Sequence, residues 1–368
     1  MKILVTGAGG FLGKNLVASL QMEKYEAVPY CHSDGIERLR EVCQNADYVF
    51  HLAGVNRPET ERGFYEGNVA FTEAVIRALE DAACPAPIVF SSSIQAALDN
   101  PYGNSKRQAE QVLLDYAARS GRRVWIYRLA NVFGKWCRPH YNSVVATFCH
   151  QIARGLPIQV NNPTRTLNLV YIDDVIQEFL SGLREAPIEP SGFREVSATY
   201  TCTLEELAEW IKSFAACRKT LSLPDQENVL LRHLYSTYLS YLPENELSYP
   251  LPMHRDARGS FTEFIRTVGQ GQISVNISHP HIVKGNHWHH SKHEKFLVVS
   301  GKGVIRFRKW GDKNVIEYPV SGDDLVVVEI PPGYTHNIEN TGDTDMVTLM
   351  WANENFNPQK PDTYVMEV

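Results

Sequence analysis

The stretch that decides the fold of the first half of the chain is Lys2-Ile3-Leu4-Val5-Thr6-Gly7-Ala8-Gly9-Gly10-Phe11-Leu12-Gly13. The apolar run, the glycine turn and the helical pattern from residue 14 to 20 predict a buried parallel strand followed by a helix. Glycines at this spacing let the backbone approach a pyrophosphate, which the N-terminus of the helix then faces. We therefore predict an α/β Rossmann-type, doubly wound parallel sheet that binds a dinucleotide. The candidate cofactor contacts in this turn are Gly7, Gly10, Phe11, Leu12 and Gly13.

The second predicted strand, residues 26–30, runs into Cys31-His32-Ser33-Asp34. A ribose-binding acid is expected at such a strand end, roughly twenty residues after the glycines, but a cysteine and a histidine stand there. We therefore predict NADPH, although the length of the loop leaves open that Asp34 reaches the ribose. The candidates near the 2′-phosphate are His32, Ser33 and Arg38, and the end of the next strand adds Leu52 and Ala53 as cofactor contacts.

Tyr102 and Lys106 begin a predicted helix, and a run of serines precedes them. The two residues are four apart and share a helix face, so the lysine is expected to lower the pKa of the phenol. Ser93 can hydrogen-bond a substrate carbonyl oxygen, and Ser92 is a close second. Together these groups can protonate an alkoxide during ketone reduction.

Five segments resemble, in this order and spacing, the extended short-chain dehydrogenase/reductase family: TGAGGFLG, DYVFHLAG, VFSSS, PYGNSK and RLANVFG. The resemblance implies that Tyr102 is the acid/base, that Lys106 activates it and binds the cofactor ribose, and that Ser93 binds the carbonyl. It also implies a nucleotide-sugar substrate held by the C-terminal part of this domain, about 135–245.

Beyond residue 255 the sequence changes to short β-branched and aromatic runs separated by turn residues. The runs SFTEFIR, QISVNIS, KFLVVSG, GVIRFRK, NVIEYPV, LVVVEIP and MVTLMW predict an all-β sandwich or barrel. Prolines at 243, 250 and 252 break the preceding helical pattern. We therefore predict a reductase domain at 1–247 and a β domain at 248–368.

A histidine cluster predicts a metal site on the β domain. His287 and His289 lie on one face of a strand because side chains alternate, Glu294 follows, and His336 lies on a later strand. Three imidazoles and a carboxylate suit a divalent ion, with Zn²⁺ favoured and iron, nickel or manganese also compatible. The spacings HxHx4E and PxGxxHx3N resemble the two motifs of the cupin family, which implies an all-β cupin barrel.

DARGSFTE (256–263) and VKGNH (283–287) resemble the cupin-type epimerases that act on nucleotide 4-keto-sugars. The resemblance implies that Arg258 and Glu263 hold the nucleotide sugar and that His287 is the base. The cupin spacing instead makes His287 a metal ligand, so its role stays open. If it binds metal, a neighbour such as His290, Lys292 or His293 would take the proton while the metal polarises the ketone.

A ketone at C4 makes the protons at C3 and C5 acidic, so epimerisation must precede reduction. Over its whole length the chain resembles a CapF-like family of bifunctional capsular polysaccharide and O-antigen enzymes. The resemblance implies metal-assisted C3 epimerisation of a UDP-4-keto-6-deoxy-N-acetylhexosamine, then NADPH-dependent C4 reduction. The product would be UDP-N-acetyl-6-deoxy-L-talosamine, a precursor of UDP-N-acetyl-L-fucosamine, and the enzyme would be a homodimer.

Bulk properties exclude other classes. A net charge of −6 gives no basic surface for nucleic acid or an anionic membrane, and no apolar run reaches the roughly 18 residues of a membrane span. Seven scattered cysteines fit a reducing compartment, so we expect a cytoplasmic enzyme. Two alternatives stay open: an epimerase or dehydratase with tightly bound NAD and a structural or sensory cupin, and a non-catalytic sugar-binding module.

Overall fold

A computed structural model of the chain describes residues 1–184, 191–267, 269 and 271–368. The chain divides into two compact units: Met1–Lys212 with His233–Pro243, and Ser213–Arg232 with Glu244–Val368. Residues 213–232, which the sequence places in the reductase domain, thus group with the second unit. The N–H of Leu223 donates to the Arg266 carbonyl at 2.9 Å, which ties this segment to the β domain. The domain boundary at 247 stays a prediction.

The first unit is built on a six-stranded sheet in the order β2-β1-β3-β4-β5-β8, in which every neighbouring pair is parallel. Its strands are β1 (Lys2–Thr6), β2 (Glu26–Tyr30), β3 (Tyr48–His51), β4 (Ile88–Ser93), β5 (Val124–Leu129) and β8 (Gly192–Arg194). The strand order reverses at β1 and β3, and ligands of such sheets bind where this reversal opens a crevice. The predicted doubly wound parallel sheet is confirmed.

Helices cover both faces of this sheet. In chain order the described helices are α1 (Phe11–Met22), α2 (Gly35–Gln44), α3 (Glu61–Phe64), α4 (Phe71–Asp81), α5 (Pro101–Ser120), α6 (Val144–Ile152), α7 (Ile172–Arg184), α8 (Leu204–Thr220) and α9 (Val229–Leu239). Of these, α1 and α7 pack on one face of the sheet, and α2, α4 and α5 pack on the other. Ile3 and Val5 pack in one core with Leu16 of α1, whereas Leu4 packs in another with Leu113 of α5. Burial on both faces explains why these strands are apolar throughout. Within the described ranges, no helix has the length and apolar character needed to cross a membrane.

A smaller sheet of the first unit joins β6 (Asn131–Phe133), β7 (Thr166–Tyr171) and β9 (Tyr200–Thr203) in the order β6-β7-β9. Directly after β9, α8 begins with a capping box. The Glu206 carboxylate accepts the Thr203 N–H at 2.7 Å, and Thr203 Oγ1 accepts the Glu206 N–H at 3.1 Å. A threonine followed three residues later by a glutamate is typical of a helix start.

The β domain consists of two antiparallel sheets in the orders β10-β11-β12-β19-β14-β17 and β16-β15-β18-β13-β20. The strands are β10 (His254–Asp256), β11 (Gly259–Thr267), β12 (Gly271–Ser278), β13 (Val283–Trp288), β14 (Glu294–Ser300), β15 (Lys302–Lys309), β16 (Val315–Ser321), β17 (Val327–Ile330), β18 (Tyr334–Asn340), β19 (Met346–Ala352) and β20 (Tyr364–Val365). Phe296, Ile305 and Ile338 belong to its apolar core. The predicted all-β, cupin-like fold is confirmed.

Candidate functional site

The glycine turn between β1 and α1 is required by close packing. Gly7 has φ of +69°, and a Cβ there would lie 2.7 Å from the Cα of Ala53 and 2.9 Å from the carbonyl carbon of Leu52. A Cβ at Gly13 would lie 2.2 Å from the Gly7 carbonyl oxygen. Gly10 caps α1 without a side chain, so the first N–H groups of the helix face outward for an anion. The turn therefore fits the pyrophosphate of a nicotinamide cofactor.

Cys31 occupies the end of β2, where an acid would bind a ribose. A Cβ on Gly9 would lie 3.3 Å from its Sγ, so the thiol flanks the glycine turn. The Asp34 carboxylate accepts the Cys31 N–H at 2.7 Å and is thereby engaged in the turn that follows β2. His32 and Ser33 of that turn are exposed, while Arg38 of α2 pairs with Glu41 at 2.7 Å.

Ser93 and Tyr102, the predicted carbonyl-binding pair, lie together in the structure. Asn100 accepts the N–H of Gly103 at 2.8 Å and starts α5, which places Tyr102 in the first turn. Ser93 Oγ accepts the N–H of Gln95 at 3.2 Å, so its hydroxyl hydrogen is left to donate to Tyr102. Burial raises the pKa of Tyr102, and this hydrogen bond from Ser93 partly offsets the rise. A donor and a phenol that share a hydrogen bond can bind one carbonyl oxygen together.

Ser92 is engaged elsewhere. Its hydroxyl donates to the carboxylate of Glu110, whose two oxygens accept Nε and Nη2 of Arg128 at 3.0 and 2.7 Å. The side chain of Glu110 is only 3% exposed, so this is a buried polar network that links β4 and β5 to α5. The structure therefore favours Ser93 over Ser92 as the carbonyl-binding hydroxyl.

Lys106 lies buried beneath this site. Its Nζ donates to the Ser91 carbonyl at 2.7 Å and lies 4.2 Å from the centre of the Phe90 ring. Burial lowers the pKa of Lys106 to about 7 against the opposing charge of Glu110. The expectation that Lys106 lowers the pKa of Tyr102 is not met here: that pKa is raised, and Ser93 supplies the opposing influence. The ammonium is instead directed at the end of β4.

His287, His289, Glu294 and His336 come together as predicted, with one ligand atom from each within 4.8 Å of the others. His287 is the second-to-last residue of β13 and pairs with His336 of β18, and Glu294 is the first residue of β14. The Nε2 atoms of His289 and His336 each lie 3.4 Å from Oε2 of Glu294. Nε2 of His336 is buried without a hydrogen-bond partner, so the group fits a divalent metal that would use this orphaned nitrogen.

Backbone carbonyls orient the imidazoles. Nδ1 of His289 lies 2.6 Å from the Asp362 carbonyl oxygen, and His287 hydrogen-bonds the Gly285 carbonyl. A proton held on Nδ1 leaves Nε2 free as a ligand. Burial, with the neighbouring imidazoles, lowers the pKa of His287 to about 4, which keeps the ring neutral as metal binding requires.

Glu294 is the charged member of this group. Burial alone would raise its pKa, but the adjacent imidazoles of His289 and His336 outweigh this effect and hold the pKa well below its usual range. The carboxylate is therefore ionised, and a cation at the centre would compensate its charge.

Asp362, near the C-terminus, supports this group and was missed by sequence reasoning. Its carboxylate accepts the N–H groups of His290, Ser291 and Lys292 at 3.0, 2.9 and 2.9 Å. These three hydrogen bonds hold the pKa of Asp362 well below its usual range, against the effect of its partial burial. Its φ of +39° is left-handed, a conformation that aspartate tolerates better than most residues. The only sequence signal is a turn-forming Pro-Asp pair close to the end of the chain.

His290 and Lys292, two of the predicted bases, are engaged with other partners than the four candidate ligands. The ring of His290 packs 4.4 Å from Trp288 and 4.9 Å from Tyr364. Nζ of Lys292 donates to the Thr363 hydroxyl at 2.9 Å. Both residues lie in the loop between β13 and β14, and their side chains contact residues 363 and 364 near the end of the chain.

Lys284 does lie on the ligand face. The register pairs it with Ile338 and pairs His287 with His336, and the extra residue between them is Asn286, with φ of +58°. This bulge puts Lys284 and His287 on the same side of β13. Nζ of Lys284 donates to Oδ1 of Asn276 at 2.9 Å and is half-buried, and burial lowers its pKa.

Arg258 and Glu263, the predicted substrate contacts, are both engaged in local ion pairs. Arg258 holds the carboxylate of Asp256 through Nε and Nη2 at 3.1 and 2.6 Å, and both side chains are exposed. Glu263 pairs with Arg266, whose Nε is buried without a hydrogen-bond partner. Neither contact links these residues to the metal ligands.

Two family models match the chain: the NAD dependent epimerase/dehydratase family over residues 3–189 and the polysaccharide biosynthesis C-terminal domain over residues 254–364. A Pseudomonas aeruginosa relative, UDP-2-acetamido-2,6-beta-L-arabino-hexul-4-ose reductase, is 45% identical over 100% of this chain and 99% of its own length. The crystal structure of the capsular polysaccharide assembling protein CapF from Staphylococcus aureus is 52% identical, with a TM-score of 0.93 and complete coverage of both chains. UDP-glucose 4-epimerase from Thermotoga maritima shares the fold alone, at 20% identity and a TM-score of 0.56 over 66% of this chain and 98% of that one.

Proposed function

Because the chain belongs to the NAD dependent epimerase/dehydratase family, in its CapF-like branch with a polysaccharide biosynthesis C-terminal domain, we propose that it is a bifunctional UDP-sugar enzyme. The observation that carries the proposal is the presence of two separate sites in one chain. The first is the hydrogen-bonded pair of Ser93 and Tyr102, and the second is the cluster of three histidines and Glu294.

In the first unit we propose reduction of a C4 ketone. Bound NADPH supplies the hydride for that carbon. Ser93 and Tyr102 hydrogen-bond the carbonyl oxygen, and Tyr102 gives it the proton that completes the alcohol. Lys106, whose buried ammonium lies at the end of β4, is proposed to bind the cofactor ribose. The Pseudomonas aeruginosa relative is named as a reductase of a hexul-4-ose, which supports C4 as the position reduced.

A preference for NADPH over NADH is supported by the end of β2. An acid beside the ribose would repel a 2′-phosphate, but Cys31 stands there and the Asp34 carboxylate is engaged with backbone. His32, Ser33 and Arg38 are the groups we expect at the phosphate. The ion pair of Arg38 with Glu41 is exposed and contributes little, so the guanidinium can exchange partners.

In the β domain we propose C3 epimerisation of a UDP-4-keto-6-deoxy-N-acetylhexosamine. His287, His289, Glu294 and His336 would hold one divalent ion, with Zn²⁺ favoured by the three imidazoles. Such an ion supplies Lewis-acid polarisation of the C4 carbonyl.

For the proton at C3 we favour Lys284, because it lies on the ligand face of β13 with a depressed pKa. His290 and Lys292 remain predictions. Arg258 and Glu263 are proposed to exchange their local partners for the nucleotide sugar.

The order of the two reactions follows from the ketone, since reduction removes the group that makes C3 acidic. The proposed product is UDP-N-acetyl-6-deoxy-L-talosamine, which leads to UDP-N-acetyl-L-fucosamine. We further propose a homodimer, which is supported by exposed apolar side chains on the β domain: Val315, Ile316, Tyr318, Leu325, Val326 and Val327.

The test follows a UDP-4-keto sugar in D₂O by NMR, with and without NADPH. Deuterium should enter C3 without NADPH, and the C4 alcohol should form only when NADPH is added. Tyr102→Phe should abolish NADPH oxidation and keep the exchange, whereas His289→Ala should abolish the exchange alone. Loss of both partial reactions in one folded variant would contradict two sites. Purification with bound NAD, and no net NADPH consumption, would favour an epimerase or dehydratase instead.

A further inference from the structure

Two arginines lie close to the ring of Tyr141 in the first unit. Cζ of Arg138 lies 5.3 Å and Cζ of Arg57 lies 6.0 Å from the ring centre. Both guanidinium groups are exposed, and in the described part of the chain neither pairs with a carboxylate. Two guanidinium groups close to one ring, neither neutralised by a carboxylate, concentrate positive charge at this place and attract an anion.

The segment that carries Arg138 and Tyr141 has a strained backbone. Trp136 and His140 have φ of +69° and +56°, a left-handed conformation that is unfavourable for such side chains. The surroundings hold the segment in place: the Cys137 carbonyl accepts the Tyr241 hydroxyl, and the His140 N–H donates to Thr147 Oγ1 at 3.0 Å. Strain that the fold maintains in this way is concentrated at functional sites.

This segment lies beside the reductase site. Tyr141 is close enough to Tyr102 to raise its pKa, in addition to the larger effect of burial. The other side of Tyr102 is covered by Phe64, whose ring centre is 6.1 Å away. An anion bound by the two arginines would therefore lie near the substrate carbonyl that Tyr102 contacts.

We propose that Arg57, Tyr141 and Arg138 form the subsite for the diphosphate of the nucleotide sugar during reduction. The inference rests on the proposed ketoreductase function. A pyranose ring separates C4 from the anomeric phosphate, so a diphosphate site is needed one sugar ring away from Tyr102. Guanidinium groups match phosphate oxygens in pairs, and the Tyr141 ring supports their planes through cation–π contacts. A cofactor phosphate has the same chemistry, and the experiment must separate the two sources.

The first measurement is binding without turnover. The full chain is treated with phenylglyoxal, which modifies arginines, in the presence of UDP, uridine or NADPH, and the modified peptides are quantified by mass spectrometry. UDP should protect Arg57 and Arg138 from modification, whereas uridine should not. The control is Arg62 of α3, an exposed arginine that is paired with Glu66. Protection by NADPH instead of UDP would assign the arginines to the cofactor and overturn the proposal.

The second measurement is steady-state reduction by Arg57→Gln, Arg138→Gln and the double variant, with Arg62→Gln as the matched control. Each single change should raise KM for the UDP-sugar about tenfold, and the KM for NADPH should stay within twofold. Arg138→Lys should recover part of the loss, because lysine binds phosphate as a point charge. An unchanged KM for the UDP-sugar in the double variant would overturn the inference. Absence of reduction in the wild-type chain would instead refute the ketoreductase function, while the protection by UDP would still decide the anion site.

Discussion

Removal of the Asp362 carboxylate is expected to weaken metal binding without touching a ligand. The carboxylate accepts three backbone N–H groups, those of residues 290–292, which directly follow His289. The carbonyl of the same residue accepts Nδ1 of His289 at 2.6 Å. Asp362 therefore orients the imidazole of His289 and also holds the backbone of the three residues that follow it.

The magnitude follows from the three hydrogen bonds. A hydrogen bond to a charged group contributes about 1.5–3 kcal/mol when buried, but Asp362 is only partly buried, so about 0.7 kcal/mol each is appropriate. The total is about 2 kcal/mol, and at about 1.4 kcal/mol for each factor of ten it corresponds to roughly 30-fold in affinity. Losses of about 10- to 100-fold are typical when a group that orients a metal ligand is removed.

Two variants separate the contributions. Asp362→Asn keeps a residue that tolerates left-handed φ and removes the charge, whereas Asp362→Ala removes the acceptor and also strains the backbone at φ of +39°. Zn²⁺ dissociation constants from competition with a chromophoric chelator should rise about tenfold for the first and about 30-fold for the second. Asp343→Asn is the control, since Asp343 is exposed and lies 3.4 Å from the exposed ring of His281. Affinities within twofold of the wild type for both Asp362 variants would refute the reasoning.

Three further predictions concern single groups. Ser93→Ala should lower kcat for reduction about 100-fold. Ser92→Ala should keep kcat within a few-fold and reduce the free energy of unfolding by about 1–3 kcal/mol, because Glu110 loses a buried donor. The reverse pattern in kinetics and denaturant unfolding would show that Ser92, and not Ser93, binds the carbonyl. Gly13→Ala should weaken cofactor binding at least about tenfold, measured by nucleotide fluorescence titration, since its Cβ meets the Gly7 carbonyl at 2.2 Å. Gly182→Ala is the control, because its Cβ would make only an ordinary contact of 3.9 Å with the hydroxyl of Tyr48. Lys284→Met should stop deuterium exchange at C3 while the metal content, measured by mass spectrometry, stays at wild-type level; retained exchange would remove Lys284 as the base.

Much of the fold could be predicted because short local sequence patterns determine its helices and strands. The strand predicted at residues 26–30 is β2, and each of the seven apolar runs of the second half contains most of a strand or a whole one. Alternation along a strand correctly places His287 and His289 together, and two motifs on different strands correctly place Glu294 and His336 beside them. These features depend on spacings of a few residues, which the sequence states directly.

Other features depend on partners that are distant along the chain. Ser92 and Ser93 are chemically identical, and the structure separates them through Glu110, which is 18 residues away. Asp362 is 73 residues from the imidazole that it orients. Lys284 lies on the same face as His287 only because an extra residue, Asn286, shifts the register of β13. An alternating sequence pattern does not predict such a bulge. Such contacts are fixed by tertiary packing and have no local signature.

The position of Lys284 also bears on the open question about His287. In this structure His287 lies among the other candidate ligands, it hydrogen-bonds a backbone carbonyl, and its pKa is lowered to about 4 by burial and by the neighbouring rings. A group that is neutral and aimed at a metal is poorly placed to accept a proton from C3, since its free nitrogen would already be coordinated. A half-buried amine on the same face, with a depressed pKa, is closer to what a base near neutral pH requires. The two sequence resemblances that disagreed over His287 are reconciled if the cupin-type ligand set is retained and the proton transfer is assigned three residues earlier.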